Sequence, residues 1–280
     1  MKKYLSTIIL FLILIIGLSL VLYPTFSNWW NSFHASKAIS DYAEKVATLD
    51  EDQYDALWAE AVAYNQSKPL QGGTFVLDPQ LQTQYPQLLN LGNDGIMGYI
   101  EIPRTDTYLP ISHGTEAETL EKSVGHVIGS SLPIGGEGTH SVLSGHSGMS
   151  DQKMFSDLNK LQEGDIFYIH VLNETLAYKV SRIDTVLPED TSLLSIEDGK
   201  DMVTLVTCTP FGVNTHRLLV RGERTDCVMA AEEVAELEET QDTSSTWTEE
   251  YWKGIVIGIV VLIVLILILS YLESKGAKEN

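Results

Sequence analysis

The sequence predicts a mostly β protein, a closed β barrel with short inserted helices that is carried between two membrane-spanning helices. Three observations predict this. The 280-residue chain has one apolar, charge-free run near each end, and between these runs lie seven short segments rich in Val, Ile, Tyr and Thr. Gly, Pro, Asn or Asp separates most of these segments. Many short strands favour a barrel, because closure leaves no long edge strand unpaired.

The composition excludes several classes of protein. The 38 Asp and Glu residues outnumber the 18 Lys and Arg residues, giving a formal charge of -20. A general nucleic-acid binder needs a basic face, so we expect no nucleic-acid partner. Two cysteines are too few for a disulfide scaffold. The sequence has no phosphate-binding loop and no C-x-x-C or H-x-x-x-H spacing, so we expect no cofactor and no metal.

Each terminal apolar run is long enough to cross a bilayer. Leu5 to Leu22 follows Lys2 and Lys3, and Gly254 to Leu272 precedes Lys275. At about 1.5 Å per residue, each helix crosses a hydrocarbon core of roughly 30 Å. The alternatives are a cleaved signal peptide for the first run and a buried core helix for the second. The flanking lysines place both termini in the cytoplasm and the middle of the chain outside.

The composition divides the chain into consecutive segments. Apolar positions from Ala35 to Val46, and again from Tyr54 to Val62, recur at helical spacing and predict two amphipathic helices. Gln66 to Asn93 is a predicted loop, and the acidic stretch before the second span is a predicted stalk. The expected segments are an anchor at 1–23, the helices and the loop at 24–93, the β barrel at 94–228, the stalk at 229–253, the second span at 254–272 and a cytoplasmic tail at 273–280.

Seven strands and two short helices are predicted within the barrel. The strands are Met97–Ile102, Tyr108–Ile111, Ser141–Ser144, Asp165–Val171, Thr175–Val186, Met202–Cys208 and His216–Glu223, and the helices are Glu118–Ser123 and Met154–Leu161.

The chemistry concentrates where two of these strands meet. If Met202–Cys208 and the strand from His216 pair as a hairpin, Cys208 and Arg217 lie about 5 Å apart across its mouth. A guanidinium there favours the thiolate and offers donors to a developing oxyanion. The alternatives for Cys208 are a small buried hydrophobe or a disulfide with Cys227. Cys227 lies ten residues beyond Arg217, about 30 Å if extended, whereas a bridge needs Cα atoms within about 7 Å, so we expect a spare thiol.

A general acid or base must come from the seven histidines. His146 is the best candidate, because it lies in the turn Gly145 to Gly148 directly after a predicted strand. His216 and His140 also neighbour strand ends, and the sequence ranks them only weakly against His146. Taken singly, each is more often an ordinary surface or hydrogen-bonded histidine.

Four separated motifs resemble one family. LVTCTPFGVNTHRLLVR at 205–221, MGYIEIP at 97–103, LPISHGT at 109–115 and HSVLSGHSG at 140–148 are similar to the class C, pilus-polymerising sortases, cysteine transpeptidases of Gram-positive bacterial surfaces. The resemblance covers about residues 90–224 and implies an eight-stranded β barrel. It also implies that His146, Cys208 and Arg217 are the catalytic residues.

The resemblance further implies the substrates. These are pilins or surface proteins with a Leu-Pro-x-Thr-Gly-like sorting signal, cleaved between Thr and Gly and joined to a pilin lysine amine. The lipid bilayer of a Gram-positive cell membrane is the other expected partner. Three alternatives stay open: a housekeeping sortase that attaches proteins to cell-wall peptide, a cysteine hydrolase, and a catalytically silent display module.

Class C enzymes commonly carry a lid, an Asp-Pro-aromatic motif that occupies the active site. Asp78 and Pro79 match its first two positions, so Asp78 is a candidate partner for Arg217. Gln80 stands where the aromatic residue is expected, which predicts weaker autoinhibition. The alternative is an ordinary Asp-Pro turn.

Overall fold

Eight strands close into a barrel, as predicted. The computed structural model describes residues 5–67, 79–149, 152–231 and 234. The strand order around the barrel is β1-β2-β3-β4-β7-β8-β6-β5. The strands are β1 (Ile96–Ile102), β2 (Thr107–His113), β3 (Val124–His126), β4 (Thr139–Ser144), β5 (Ile166–Val171), β6 (Glu174–Val186), β7 (Asp201–Thr209) and β8 (His216–Thr225).

The seven strands that the residue pattern predicts are all present, and β3 is the eighth. Its three residues, Val124–His126, are all buried and pair in parallel with β2 and antiparallel with β4. A Val-Gly-His segment has little β propensity of its own, so its neighbours impose the extended conformation. Of the predicted short helices, one is α4 (Ala117–Leu120), and the other is reduced to a 3₁₀ turn at Leu158–Lys160.

β4 and β7 form the buried centre of the barrel wall. They pair in parallel from Thr139↔Asp201 to Ser144↔Val206. Their inward side chains join the main core, while Val142 on the opposite face packs with Leu194 and Leu219. Leu194 belongs to a 3₁₀ turn in the connection from β6 to β7, so this connection covers the outer face. Because both faces of β4 are covered, the strand is buried along nearly its whole length.

The predicted anchor and the first amphipathic helix are one continuous helix, α1 (Leu5–Ala47). Its part from Phe11 is long and apolar enough to cross a membrane, and none of that apolar window is buried against the protein. Near its end, the buried positions Ala35, Ile39, Tyr42 and Val46 repeat at helical spacing and face the barrel.

Two hydrogen bonds and an ion pair fix the end of α1 to the barrel. The Tyr42 hydroxyl donates to the Met97 carbonyl (3.0 Å) and accepts from the Leu172 amide (2.8 Å). The Lys45 ammonium lies 2.7 Å from the Asp94 carboxylate. α1 therefore joins the apolar segment rigidly to the start of β1 and the hairpin between β5 and β6.

The second predicted helix is α2 (Glu51–Gln66). Asp50 and Gln53 form a capping box at its start, which satisfies two of the free amide groups there. At its end the buried Asn65 side chain accepts from the Leu132 amide (2.7 Å) and donates to the Leu132 carbonyl (3.2 Å). These two bonds fix the end of α2 to the barrel.

The predicted loop before β1 contains structure at its end. α3 (Pro79–Gln84) leads into a 3₁₀ turn at Tyr85, which is 3% exposed. The Nε2 atom of His126 lies 2.8 Å from the Ser131 carbonyl, so Nε2 carries the proton and Nδ1 accepts from the Tyr85 hydroxyl at 2.8 Å. The Gly114 amide in turn donates to the Tyr85 oxygen. Tyr85 thus fixes this segment to β2 and β3.

A second histidine is buried between the barrel and the β6–β7 connection. The Nδ1 atom of His140 donates to the Ser195 carbonyl (2.9 Å), and its Nε2 accepts from the Thr204 hydroxyl (2.7 Å). Burial lowers the pKa of His126 and of His140 to about 4. Both rings are therefore neutral at pH 7, with every ring nitrogen hydrogen-bonded.

We predict that acid destabilises the protein through these two rings. The unfolded histidines take up protons near pH 6.5, whereas the folded ones do not until about pH 4, so stability present above pH 6.5 is lost as the pH falls. Between pH 7 and pH 5, each should lower the free energy of unfolding by about 2 kcal/mol. Urea unfolding of the chain in detergent at several pH values measures this.

The matched variant is His140→Gln, which removes one of these two buried rings. Whatever its stability at pH 7, the loss between pH 7 and pH 5 should be about 2 kcal/mol smaller than in the natural chain. Equal losses in the variant and the natural chain would contradict the prediction.

Candidate active site

Cys208 and Arg217 lie opposite each other on neighbouring strands. β7 and β8 pair antiparallel, and their register matches Cys208 with Arg217. Directly opposed residues project on the same face of a sheet with Cβ atoms about 5 Å apart. The pairing that the sequence predicts is therefore present. The Cys208 thiol is free and half-buried.

A short turn holds the mouth of this hairpin. The amides of Val213 and Asn214 both donate to the Pro210 carbonyl at 3.0 Å. The Arg217 guanidinium donates from Nη1 to the carbonyls of Asn214 (3.3 Å) and His216 (3.0 Å). Within the part of the chain that the structure describes, its other nitrogens make no further hydrogen bond, so they can donate to a substrate.

His146 follows β4, the strand that pairs with β7 on the side opposite β8, and it lies near the Cys208–Arg217 pair. The parallel register ends at Ser144↔Val206, and the Gly145 amide still donates to the Val206 carbonyl at 3.0 Å. Two residues further along both chains, the register places His146 beside Cys208, at the roughly 4.8 Å spacing of neighbouring strands. The His146 carbonyl accepts from the Phe155 amide at 2.9 Å.

The ring of His146 is half-buried, and it has no hydrogen-bond partner among residues 5–67, 79–149, 152–231 and 234. Cys208 and Arg217 are also half-buried. A thiol, an imidazole and a guanidinium thus share one partly open end of the barrel. This combination is suited to acyl transfer, in which a thiolate attacks a carbonyl carbon and a cation stabilises the oxyanion.

The structure separates the competing histidines. His140 is buried, and both of its ring nitrogens are bonded within the fold. His216 precedes Arg217 on β8, so its side chain projects on the opposite face from the Cys208–Arg217 pair. Its Nδ1 atom lies 2.9 Å from the Thr215 hydroxyl. Of the three candidates, His146 is the one whose backbone the register brings beside Cys208.

The remaining predicted features are distant or lie outside the described residues. Cys227 is free, and its thiol contacts the Thr175 carbonyl at 3.1 Å, beyond the far end of β8. Asp78 lies outside the described residues, and Pro79 is the first residue of α3. The predicted span at 254–272 also lies outside them. Among the residues described, no group of three or more His, Cys, Asp or Glu side chains is placed to hold a metal ion.

Sequence reasoning missed two hydroxyl groups at the site. The Thr207 hydroxyl donates to the Gly145 carbonyl (2.7 Å), and the Ser147 hydroxyl donates to the Cys208 carbonyl (2.6 Å). A small hydroxyl residue stands next to Cys208 and next to His146, and this adjacency is the signal that the sequence offers. Without the β4–β7 register, nothing indicates that each hydroxyl reaches the other segment.

An exposed ring lies beside these groups. Phe211, in the turn between β7 and β8, is 70% exposed. Gly148 has φ +79°, and a Cβ atom at this position would lie 3.3 Å from the Phe211 ring. The segment after His146 and the turn after Cys208 are thus in close contact.

Comparisons with known proteins match the barrel to one family. A family model described as Sortase domain matches residues 100–225, which include all of β2–β8. Sortase D of Bacillus subtilis is 33% identical over 130 residues, which are 45% of this chain and 63% of that protein. The chain thus matches somewhat less than two thirds of the length of this relative.

Two solved structures are more similar still. Sortase C1 of Streptococcus agalactiae is 47% identical, with a TM-score of 0.66 over 68% of this chain and 98% of that one. Sortase C of Streptococcus pneumoniae is 40% identical, with a TM-score of 0.62 over 68% of this chain and 97% of that one. The structure of the pneumococcal protein is described as informative about its pilin substrate specificity.

Proposed function

The chain belongs to the sortase family of cysteine transpeptidases, and we propose that it is a class C member that polymerises pilin subunits at the cell membrane. Its substrate is a protein with a Leu-Pro-x-Thr-Gly-like sorting signal. Its second substrate is the side-chain amine of a pilin lysine. No nucleotide is needed, because the energy of the cleaved peptide bond is retained in a thioester.

The proposal gives each of the three groups one role in the first half-reaction. The Cys208 thiolate attacks the carbonyl carbon of the signal threonine, and the Arg217 guanidinium donates to the resulting oxyanion. His146 then protonates the departing glycine amine as the C–N bond breaks. The products are an acyl thioester on Cys208 and a released peptide that begins with glycine.

The second half-reaction reverses these roles. The lysine amine attacks the thioester carbonyl, His146 accepts a proton from this amine, and Arg217 again stabilises the oxyanion. The C–S bond breaks, Cys208 leaves as a thiolate, and an isopeptide bond joins the two proteins. Half-buried groups at one end of the barrel suit this reaction, since two large substrates must reach them in turn.

One observation carries the proposal. The β4–β7–β8 register brings His146, Cys208 and Arg217 to one end of three adjacent strands, with Cys208 in the middle. A display module would need no such convergence. Support for a pilin substrate comes from the similarity to Streptococcus pneumoniae sortase C.

Membrane attachment is part of the same proposal. Sortases are membrane-associated proteins of Gram-positive bacteria, and the apolar part of α1 is the candidate N-terminal span. We propose that α1 anchors the barrel on the outer face of the membrane, with the N-terminus in the cytoplasm. The second span at 254–272 and a cytoplasmic C-terminus complete this two-span topology.

We predict a covalent intermediate on Cys208. The chain in detergent, incubated with a Leu-Pro-x-Thr-Gly peptide, should gain the mass of the acyl fragment, and intact mass spectrometry detects this gain. Adding a lysine-bearing pilin domain should discharge the adduct and yield a branched product. Cys208→Ala should form no adduct, and Cys227→Ser is the matched control that should form it normally.

The same experiment separates the alternatives. Discharge by water at an equal rate with and without any amine would identify a cysteine hydrolase. Discharge by a cell-wall peptide amine in preference to the pilin lysine would identify a housekeeping sortase. An adduct on Cys227, or none on either cysteine, would contradict the proposed chemistry.

We also predict that Arg217→Lys lowers the rate of thioester formation by about 10²- to 10³-fold, because an ammonium lacks the guanidinium fork that can both bond the turn carbonyls and donate to an oxyanion. Arg182→Lys is the matched control, since Arg182 lies on β6 and pairs with Asp184 instead. Single-turnover rates at saturating peptide measure both variants. A loss of less than tenfold would exclude Arg217 from the oxyanion role.

We further propose that the segment around Asp78 and Pro79 acts as a lid over the site, with Asp78 facing Arg217. Tyr85 supports this proposal by fixing the end of the segment to the barrel, seven residues after Asp78. Because Gln80 replaces the expected aromatic residue, the lid should cover Cys208 only weakly.

We therefore predict that Asp78→Ala raises the alkylation rate of Cys208 by a modest factor, about 1.4- to fivefold, since one surface ion pair contributes roughly 0.2–1 kcal/mol. Iodoacetamide labelling followed by mass spectrometry measures the rate. Asp106→Ala, at an exposed carboxylate in the β1–β2 turn, is the control. An unchanged rate in Asp78→Ala would exclude the lid role of this aspartate.

A further inference from the structure

The position of His146 depends on its backbone. Its ring has no hydrogen-bond partner in the described residues, so no carboxylate there orients the imidazole. In many enzymes that use a histidine with a nucleophile, a third group orients the base. Here the constraint must come from the main chain, and β4 has already ended at Ser144.

Two reciprocal hydrogen bonds continue the β4–β7 pairing beyond the end of β4. Thr207, which precedes Cys208, donates from its hydroxyl to the carbonyl of Gly145, which precedes His146, at 2.7 Å. Ser147, which follows His146, donates from its hydroxyl to the Cys208 carbonyl at 2.6 Å. The segment 145–147 is thereby tied to 207–208 on both sides of the two reacting residues.

The two bonds differ in the kind of support they give. Thr207 is buried (4% exposed) on a regular strand, so its hydroxyl belongs to the rigid wall of the barrel. Ser147 is half-buried and lies beyond the strand, next to Gly148, whose positive φ makes the chain turn away. Among the described residues, the Ser147 bond is therefore the last hydrogen bond between this segment and β7.

We propose that Ser147 is a positioning residue, whose hydroxyl holds the His146 imidazole within proton-transfer distance of the Cys208 sulfur. The inference rests on the proposed transpeptidase function and adds to it. The Ser147 hydroxyl bonds the Cys208 carbonyl and not the thiol, so it acts through the backbone of the nucleophile strand. Losing its hydroxyl lets His146 move away while Cys208 and Arg217 keep their cross-strand register.

The first test compares Ser147→Ala and Ser147→Thr in the full-length chain. A displacement of about 1 Å can cost about 100-fold in rate, so kcat for thioester formation should fall 10- to 100-fold in Ser147→Ala. KM should change less than threefold, because the peptide site keeps its residues. Ser147→Thr retains the hydroxyl and should recover most of the activity.

Ser181→Ala is the matched control. Ser181 on β6 also donates from its hydroxyl to a backbone carbonyl, that of Arg221, at 3.4 Å, and it lies away from the site. It should keep the kcat of the natural chain. The proposal is overturned if Ser147→Ala and Ser181→Ala have the same kcat, or if Ser147→Thr is no better than Ser147→Ala.

The second test needs no substrate, so its outcome is independent of the proposed function. Alkylation of Cys208 by iodoacetamide is followed from pH 5 to pH 9 in a Cys227→Ser background, with His146→Ala as the reference. The pH profile of Ser147→Ala should move from that of the natural chain towards that of His146→Ala. A profile identical to the natural one overturns the inference, as does a His146→Ala profile that does not differ from it.

The two tests distinguish the two possible failures. If neither the natural chain nor any variant forms a thioester, the proposed function fails. The alkylation profiles still decide the role of Ser147 in that case. If the natural chain forms the thioester normally and Ser147→Ala matches it in both tests, only the positioning role fails.

Discussion

The register of β7 against its two neighbours is the constraint on which the site depends. β4 on one side and β8 on the other bring His146 and Arg217 to Cys208, and β7 is hydrogen-bonded to both. A slip of one residue on either side would turn the facing side chains to opposite faces of the sheet. Buried residues on both faces of β4 and β7 prevent such a slip, since it would expose part of the core.

The fold contrasts two histidines whose ring nitrogens are all hydrogen-bonded with a third, His146, whose ring has no described hydrogen-bond partner. His126 and His140 are fully buried with both ring nitrogens bonded, and burial lowers the pKa of each to about 4. His146 lies at the end of the same strand as His140, yet its ring is left without a described partner. The two structural histidines remain neutral and fixed at pH 7, whereas the proton transfer proposed for His146 requires access to a substrate.

Much of this arrangement could be predicted from the sequence because it is local. The Cys208–Arg217 pairing follows from two strong β segments joined by a short turn, and a hairpin fixes its own register.

β3 could not be predicted, because its three residues are extended only through their neighbours. The contacts of Ser147 and Thr207 depend on the parallel β4–β7 pair, whose strands are separated by two other strands in sequence. The anchor predicted at 1–23 and the helix predicted after it form one element, because α1 continues through Pro24.

Because α1 is continuous, the number of residues between the apolar segment and the barrel sets the rotation of the barrel about the helix axis as well as its distance from that segment. An α-helix turns about 100° and rises about 1.5 Å with each residue. A single added residue between Phe33 and Tyr42 would thus rotate the whole barrel by about 100° about the helix axis, whereas four would lift it by about 6 Å with a net rotation of about 40°. During evolution this connection can therefore be shortened or lengthened only by about whole helical turns if the opening of the barrel is to keep its orientation about the helix axis.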